Sequence, residues 1–282
     1  MIIYMILTYI LIIILIYIYF NKYVETMTSL EKDKKVRYND GKLYLKYRKA
    51  RISSLLDNNK KSLEKINDYP TKFKIAFLTF DNRKDDFIMM HNSNVKKYCE
   101  KWGYDFVFES ENKTTISPYW YKIFLVNNLL KTDKYDYVFW MDSDTIINNF
   151  NIDLGEDILN KYDSDIFIAS DNIRYDVTNA GLFIVRNSQT GKKFVEDLVS
   201  TYNESSEYCL KDDNALRGIW AMSCYEQGII NKLIMEKYDK NTTFLNGNIM
   251  ENKGICSDYA FITHYYGSSS SDRALCFIKQ IH

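Results

Sequence analysis

Past Pro70 the chain alternates between short apolar runs and segments with helical spacing, the pattern of a Rossmann-like α/β domain. Lys74–Phe80 reads as the first strand and ends in the polar turn Asp81-Asn82-Arg83. A helix over His91–Trp102 follows, closed by Gly103, and Tyr104–Phe108 reads as the second strand. Tyr119–Leu130 is helical and leads into the apolar run Tyr135–Met141, which stops at Asp142-Ser143-Asp144. Further strands are expected at Asp165–Ser170, Gly181–Arg186 and Phe261–His264. Further helices are expected at Gly191–Tyr202 and Glu226–Met235.

The start of the chain follows a different pattern. Ile2 to Phe20 carries no charge and is dominated by Ile, Leu and Tyr. About 20 such residues cross a bilayer as a helix, so residues 1–21 are expected to form a membrane anchor. No small-residue cleavage site follows, which favours a retained anchor over a removed signal peptide. Residues 22–69 read as a charged stem, and 70–282 as one catalytic domain. Basic residues follow the anchor (Lys22, Lys32, Lys34, Lys35, Arg37) and none precedes it. By the positive-inside rule that charge bias would keep the rest of the chain in the cytosol.

Composition narrows the function classes. Lys+Arg and Asp+Glu both number 37 among 282 residues, so no global basic surplus points to nucleic acid. The five cysteines (Cys99, Cys209, Cys224, Cys256 and Cys276) form no Cys-x-x-Cys, which argues against a structural zinc site. In an oxidising compartment Cys256 could pair with Cys276, or Cys209 with Cys224, leaving one thiol free.

The candidate chemistry sits at the end of the Tyr135–Met141 run. Ligands of open α/β sheets collect beyond the carboxyl ends of strands. Two carboxylates there suit a hard divalent cation, which in turn suits a diphosphate. Asp163-Ser164-Asp165 has the same three letters but precedes its apolar run, so it reads as a solvated turn. Context, and not the motif, separates the two.

Other segments complete an ordered set: Trp120-Tyr121-Lys122 on a helix, then Asp142-Ser143-Asp144, then Asn179-Ala180-Gly181 entering a strand. Glu226-Gln227 and His264-Tyr265-Tyr266-Gly267 follow. Over roughly residues 72–268 this order resembles the GT-A fold, and within it glycosyltransferase family 34, the retaining galactosyl-, xylosyl- and mannosyltransferases. The resemblance implies Mn²⁺ or Mg²⁺ on Asp142, Asp144 and His264, and a nucleotide-sugar donor. It implies that Ser143 lies near the ribose and Lys122 faces the nucleotide. It places Phe77, Thr79, Asn179, Gly181 and Gly267 at the donor, with Gly181 giving the sugar room to approach the backbone. Gln227, Glu226 and Asp171 would serve the chemistry. On the residues alone, Lys122 could equally be a solvated helix lysine, and Asp171 a turn cap. The chain departs from the family pattern at Glu226, where an aspartate is usual. The implied partners are a glycan or glycoprotein acceptor and, through the anchor, a membrane. The implied location is the ER or Golgi lumen, against the charge bias. A glycogenin-like family 8 transferase and an inactive membrane-anchored scaffold are the alternatives.

Overall fold

A computed structural model describes residues 72–83, 85–169, 178–210, 216, 222–245, 249–252 and 260–281. The expected anchor (1–21), the stem (22–69) and Asp171 lie outside the described residues. Among the described residues no helix is long and apolar enough to cross a membrane.

The elements run β1 (Ile75–Phe80), α1 (Asp86–Trp102), β2 (Asp105–Glu109), α2 (Pro118–Leu130), β3 (Tyr137–Met141) and β4 (Thr145–Ile147). Then come β5 (Ile166–Ala169), β6 (Asn179–Arg186), α3 (Gln189–Cys209), α4 (Glu226–Leu233), β7 (Thr242–Leu245), β8 (Met250–Asn252), β9 (Ile262–His264) and α5 (Ser270–Ile281). Six strands form a mixed sheet in the order β2-β1-β3-β6-β5-β7, in which β6 runs against both neighbours. A second sheet has the order β4-β9-β8.

The large sheet is covered on both faces, so β1 and β3 are buried at every position and read as unbroken apolar runs. Alternate residues divide between two cores. Leu78, Val138, Trp140, Ile168 and Phe183 pack toward α2, α3 and α4. Phe77, Phe139, Met141, Phe167 and Ile184 pack on the other side with Val95 and Tyr98 of α1.

Element ends follow local chemistry. The Asp85 carboxylate caps α1 by accepting from the Phe87 amide at 2.8 Å, and Gly103 closes the helix with φ 72°. The helix therefore starts five residues before the expected His91. Pro118 opens α2, where its missing N–H leaves no bond unmade. A disulfide joins Cys209, at the end of α3, to Cys224, just before α4. Cys276 is disulfide-bonded as well, and Cys99 is a buried free thiol. Asp163 and Asp165 behave as structural residues. Asp163 lies 3.5 Å from Arg186, and Asp165 accepts from Ser188 and Asn241.

Candidate active site

The chain passes from the large sheet to the small one at Asp142–Asp144. The Asp142 amide still bonds Gly181 O of β6 at 2.8 Å, continuing β3. The Asp144 carbonyl accepts from the Tyr265 amide at 2.8 Å, and Thr145 pairs with His264 across β4 and β9. Each aspartate is thus fixed to a different sheet, and the register sets His264 beside them. One oxygen each of Asp142 and Asp144 and one His264 nitrogen lie within 4.8 Å of one another. His264 Nε2 is 3.0 Å from Asp144 Oδ1 and 4.0 Å from Asp142 Oδ2.

These residues fit a divalent cation. A contact of 3.0 Å matches the edge between neighbouring ligands of a six-coordinate ion with bonds of about 2.1 Å. Two carboxylates with one imidazole suit Mn²⁺ better than Mg²⁺, which prefers oxygen alone. The side chains of Asp142 and Asp144 are 30% and 17% exposed, so the site opens to solvent.

The charges are interlocked. Burial pushes the Asp144 carboxyl up, but His264 and Arg273 outweigh it and hold it well below the usual carboxylate range. Burial likewise disfavours a charged His264, yet Asp144 and Asp142 raise it above the ordinary histidine value. Lys122 Nζ lies 2.9 Å from Asp142 Oδ1 and 3.2 Å from Glu226 Oε1, with all but 6% of its side chain buried. Burial alone would lower its pKa; the two carboxylates reverse this and hold it above the lysine value. The Glu226 carboxyl is raised by burial and by Asp142, against the attraction of Lys122. Lys122 is therefore a buried bridge between Asp142 and Glu226, and not a solvated helix lysine. Trp140 Nε1 also donates to Asp142 Oδ1, at 2.7 Å.

Glu226 and Gln227 begin α4. Gln227 Oε1 accepts from the Ala180 amide at 3.0 Å. Its Nε2 and Glu226 Oε2 are buried without a hydrogen-bond partner. An acceptor and a donor thus lie buried and unsatisfied one lysine away from Asp142, an exception to the pairing that buried polar groups ordinarily find.

Other predicted residues sit differently. Phe77 is fully buried among Tyr98, Tyr104 and Phe139, so its side chain is core and cannot touch a donor. Thr79 is also sealed: its hydroxyl donates to Met141 O at 3.0 Å and meets buried His91 Nε2 at 3.1 Å. Both side chains point into the α1-side core by strand alternation, so any contact of these two residues with a donor would fall to their main chain. Ser143 Oγ donates to Asp81 Oδ2 at 2.5 Å, so its hydroxyl is engaged within the protein. Asn179 is buried, and its Oδ1 accepts from the Gly181 amide at 2.8 Å. At Gly181 the place of a side chain is filled by His264: an added Cβ would lie 2.2 Å from Cε1. The glycine makes room for the imidazole. Gly267 holds a left-handed turn at φ 69°.

Two further residues bear on the site: Asp81, which the sequence placed only in a polar turn, and Arg273, which it did not mark. Asp81, at the end of β1, is buried and bound by Arg83 through Nε and Nη2. Burial raises the Asp81 carboxyl, but bonds from Arg83 and Ser143 win and keep it below its ordinary value. Arg273 of α5 donates to Asp144 Oδ2 at 3.2 Å. Its helix had a legible signal: Ser269 caps it and bonds Asp272, a capping pair hidden in a serine run.

Known proteins share the fold and part of the sequence. A crystal structure of a glycosyltransferase involved in the glycosylation of the major capsid of PBCV-1 superposes with a TM-score of 0.57 at 17% identity. The match covers 73% of this chain and 99% of that one, and the likeness is one of fold. An uncharacterized alpha-1,2-galactosyltransferase of Schizosaccharomyces pombe is 27% identical over 173 residues, 46% of each chain. The match thus spans about half the length of that relative. Residues 73–173 match the profile of the galactosyl transferase GMA12/MNN10 family. That stretch holds β1, Lys122 and both aspartates of the candidate metal set, while Gly181, Glu226, Gln227 and His264 join them through the fold. The likeness to the galactosyl transferase GMA12/MNN10 family, glycosyltransferase family 34, is thus carried by residues 73–173.

Proposed function

We propose that this chain transfers a sugar from a UDP- or GDP-linked donor to a hydroxyl of a glycan or glycoprotein, with retention at the anomeric carbon. The observation that carries the reading is the convergence of Asp142, Asp144 and His264 beyond the carboxyl end of β3. When bound there, a divalent cation would neutralise the donor diphosphate and stabilise its charge as the bond to the sugar breaks.

The chain's own residues have separable tasks. Asp142 and Asp144 are held by two different sheets, which fixes their spacing before any ligand arrives. Lys122 balances Asp142 and Glu226, so the pocket carries less negative charge toward an anionic donor. Glu226 Oε2 is free to accept from a sugar hydroxyl, and Gln227 Nε2 to donate to one. Gln227 is an amide whose oxygen is already taken by Ala180, which makes it a poor nucleophile. This favours same-face substitution over a covalent intermediate. The anomeric carbon–phosphate oxygen bond breaks, the bond to the acceptor oxygen forms, and the acceptor proton passes to the departing phosphate. A glycosyl-enzyme adduct trapped on Glu226 would contradict this route.

The name of the S. pombe relative makes UDP-galactose the first donor to try. The Cys209–Cys224 disulfide supports placing the domain in an oxidising compartment such as the secretory lumen. Calorimetric titration of UDP and GDP into the full-length chain, with Mn²⁺ and with chelator, tests the reading. One nucleotide should bind with Mn²⁺ and fail to bind with chelator. Equal binding in both conditions would remove the metal from the account.

A further inference from the structure

We propose that Arg273, on the C-terminal helix, is a positioning residue for the metal centre: it fixes Asp144 so that one carboxylate oxygen is presented to the cation. The inference rests on the metal reading of Asp142, Asp144 and His264 given above.

The two oxygens of Asp144 are divided between two partners. Oδ1 faces His264 Nε2 at 3.0 Å, and Oδ2 faces Arg273 Nη2 at 3.2 Å. A carboxylate held only at its backbone is free to turn about its last torsion, which is broad and roughly two-fold. A charged donor on Oδ2 stops that rotation and leaves Oδ1 turned toward Asp142 and His264. Arginine suits the task because it keeps its proton at all working pH values and cannot itself become a ligand.

The guanidinium is in turn placed by the fold. Its side chain is 12% exposed and lies over the Phe87 ring at 5.9 Å, in the first turn of α1. The helix that carries it is secured by Cys276, which packs with Phe87, Ile146 and Tyr265. Arg273 Nε is buried with no hydrogen-bond partner. Packing alone does not explain an arginine buried with an unmade bond, whereas a demand for charge at Asp144 does.

Orientation and charge predict opposite signs for the loss of Arg273. If it only adds positive charge, its removal eases repulsion and metal binds more tightly. If it orients Asp144, its removal weakens binding, as loss of a residue supporting a metal ligand does.

The experiment uses the full-length chain without donor and follows Mn²⁺ binding by the loss of the free-ion paramagnetic resonance signal. Wild type should bind Mn²⁺, and Arg273→Met should weaken binding by roughly 10- to 100-fold. Arg273→Lys should recover part of the loss. Met90→Ala trims the apolar cluster beneath the helix but keeps the Phe87 ring and the guanidinium; it should lower the melting temperature in chelator yet keep wild-type Mn²⁺ affinity. Binding by Arg273→Met as tight as wild type, or tighter, overturns the positioning role. An equal loss in Met90→Ala also overturns it, because helix docking would then be the cause. A wild type that binds no Mn²⁺ fails earlier, at the metal reading itself.

Discussion

Gly181→Ala places one methyl group against the candidate metal site, and the structure gives its size. The new Cβ would lie 2.2 Å from His264 Cε1, 2.7 Å from Nδ1 and 2.8 Å from Nε2. Carbon atoms rest about 3.5–4.0 Å apart, so the ring must retreat by more than about 1 Å. It has little room, being 3% exposed and fixed in β9 opposite Thr145. Overpacking of this kind costs roughly 1–3 kcal/mol, which for a domain of this size lowers the melting temperature by about 2–12 °C. The effect on the metal is larger in relative terms, because ligand distances tolerate only about ±0.2 Å. With His264 displaced, Mn²⁺ affinity should fall at least ~100-fold, or about 2.7 kcal/mol. Gly103→Ala is the control. It strains a left-handed backbone at φ 72° with only the flexible Lys72 chain nearby, so it should destabilise without changing Mn²⁺ affinity. Paramagnetic resonance titration and a thermal melt report both quantities. Wild-type Mn²⁺ affinity in Gly181→Ala would refute the argument that this glycine exists to seat His264.

Two further outcomes follow from charge. Lys122→Met leaves Asp142 and Glu226 without their shared cation and should destabilise the fold by about 3–5 kcal/mol, while Lys122→Met with Glu226→Gln should recover much of it. A thermal melt in which the single and double variants agree would contradict the bridging role. Asp197 accepts from Lys193, Lys237 and Tyr238, and the burial penalty is outweighed, so its carboxyl is held down at about 2. A lowered folded pKa gives stability that is present above the unfolded value near 4 and lost as pH falls through about 2. Asp197→Asn should therefore be less stable than wild type at pH 7, by about 1 kcal/mol for such surface pairs, with the difference shrinking steadily as pH falls from about 4 to about 2. Denaturant melts that show a pH-independent difference would contradict this.

How much was legible depends on what each residue faces. The strands β1 and β3 are buried on both sides, so their apolar runs stood out, and Asp142 and Asp144 stood out as the polar break at a carboxyl end. Short β4, β7 and β8 carry too few residues to show a period, and β4 is recognisable only beside β9. The inward turn of the Phe77 and Thr79 side chains was not legible, because sequence position near a site does not say which face a strand residue takes. The only charged residue in Pro118–Leu130 is Lys122, and an isolated charge in an apolar helix is a signal for a buried pair. Its partners lie on β3 and α4, which no local pattern connects. The same is true of Gly181 and His264: the residue types were noticed separately, and only the fold shows that one makes space for the other.

The most direct test of the central claim is turnover. The full-length chain would be incubated with a panel of UDP- and GDP-sugars, with Mn²⁺ or with chelator, and free nucleotide followed by mass spectrometry. The account predicts Mn²⁺-dependent release from one donor, abolished in Asp144→Ala and in His264→Ala, each of which removes one member of the candidate metal set. Release that survives chelation or either substitution, or no release from any donor, would contradict it.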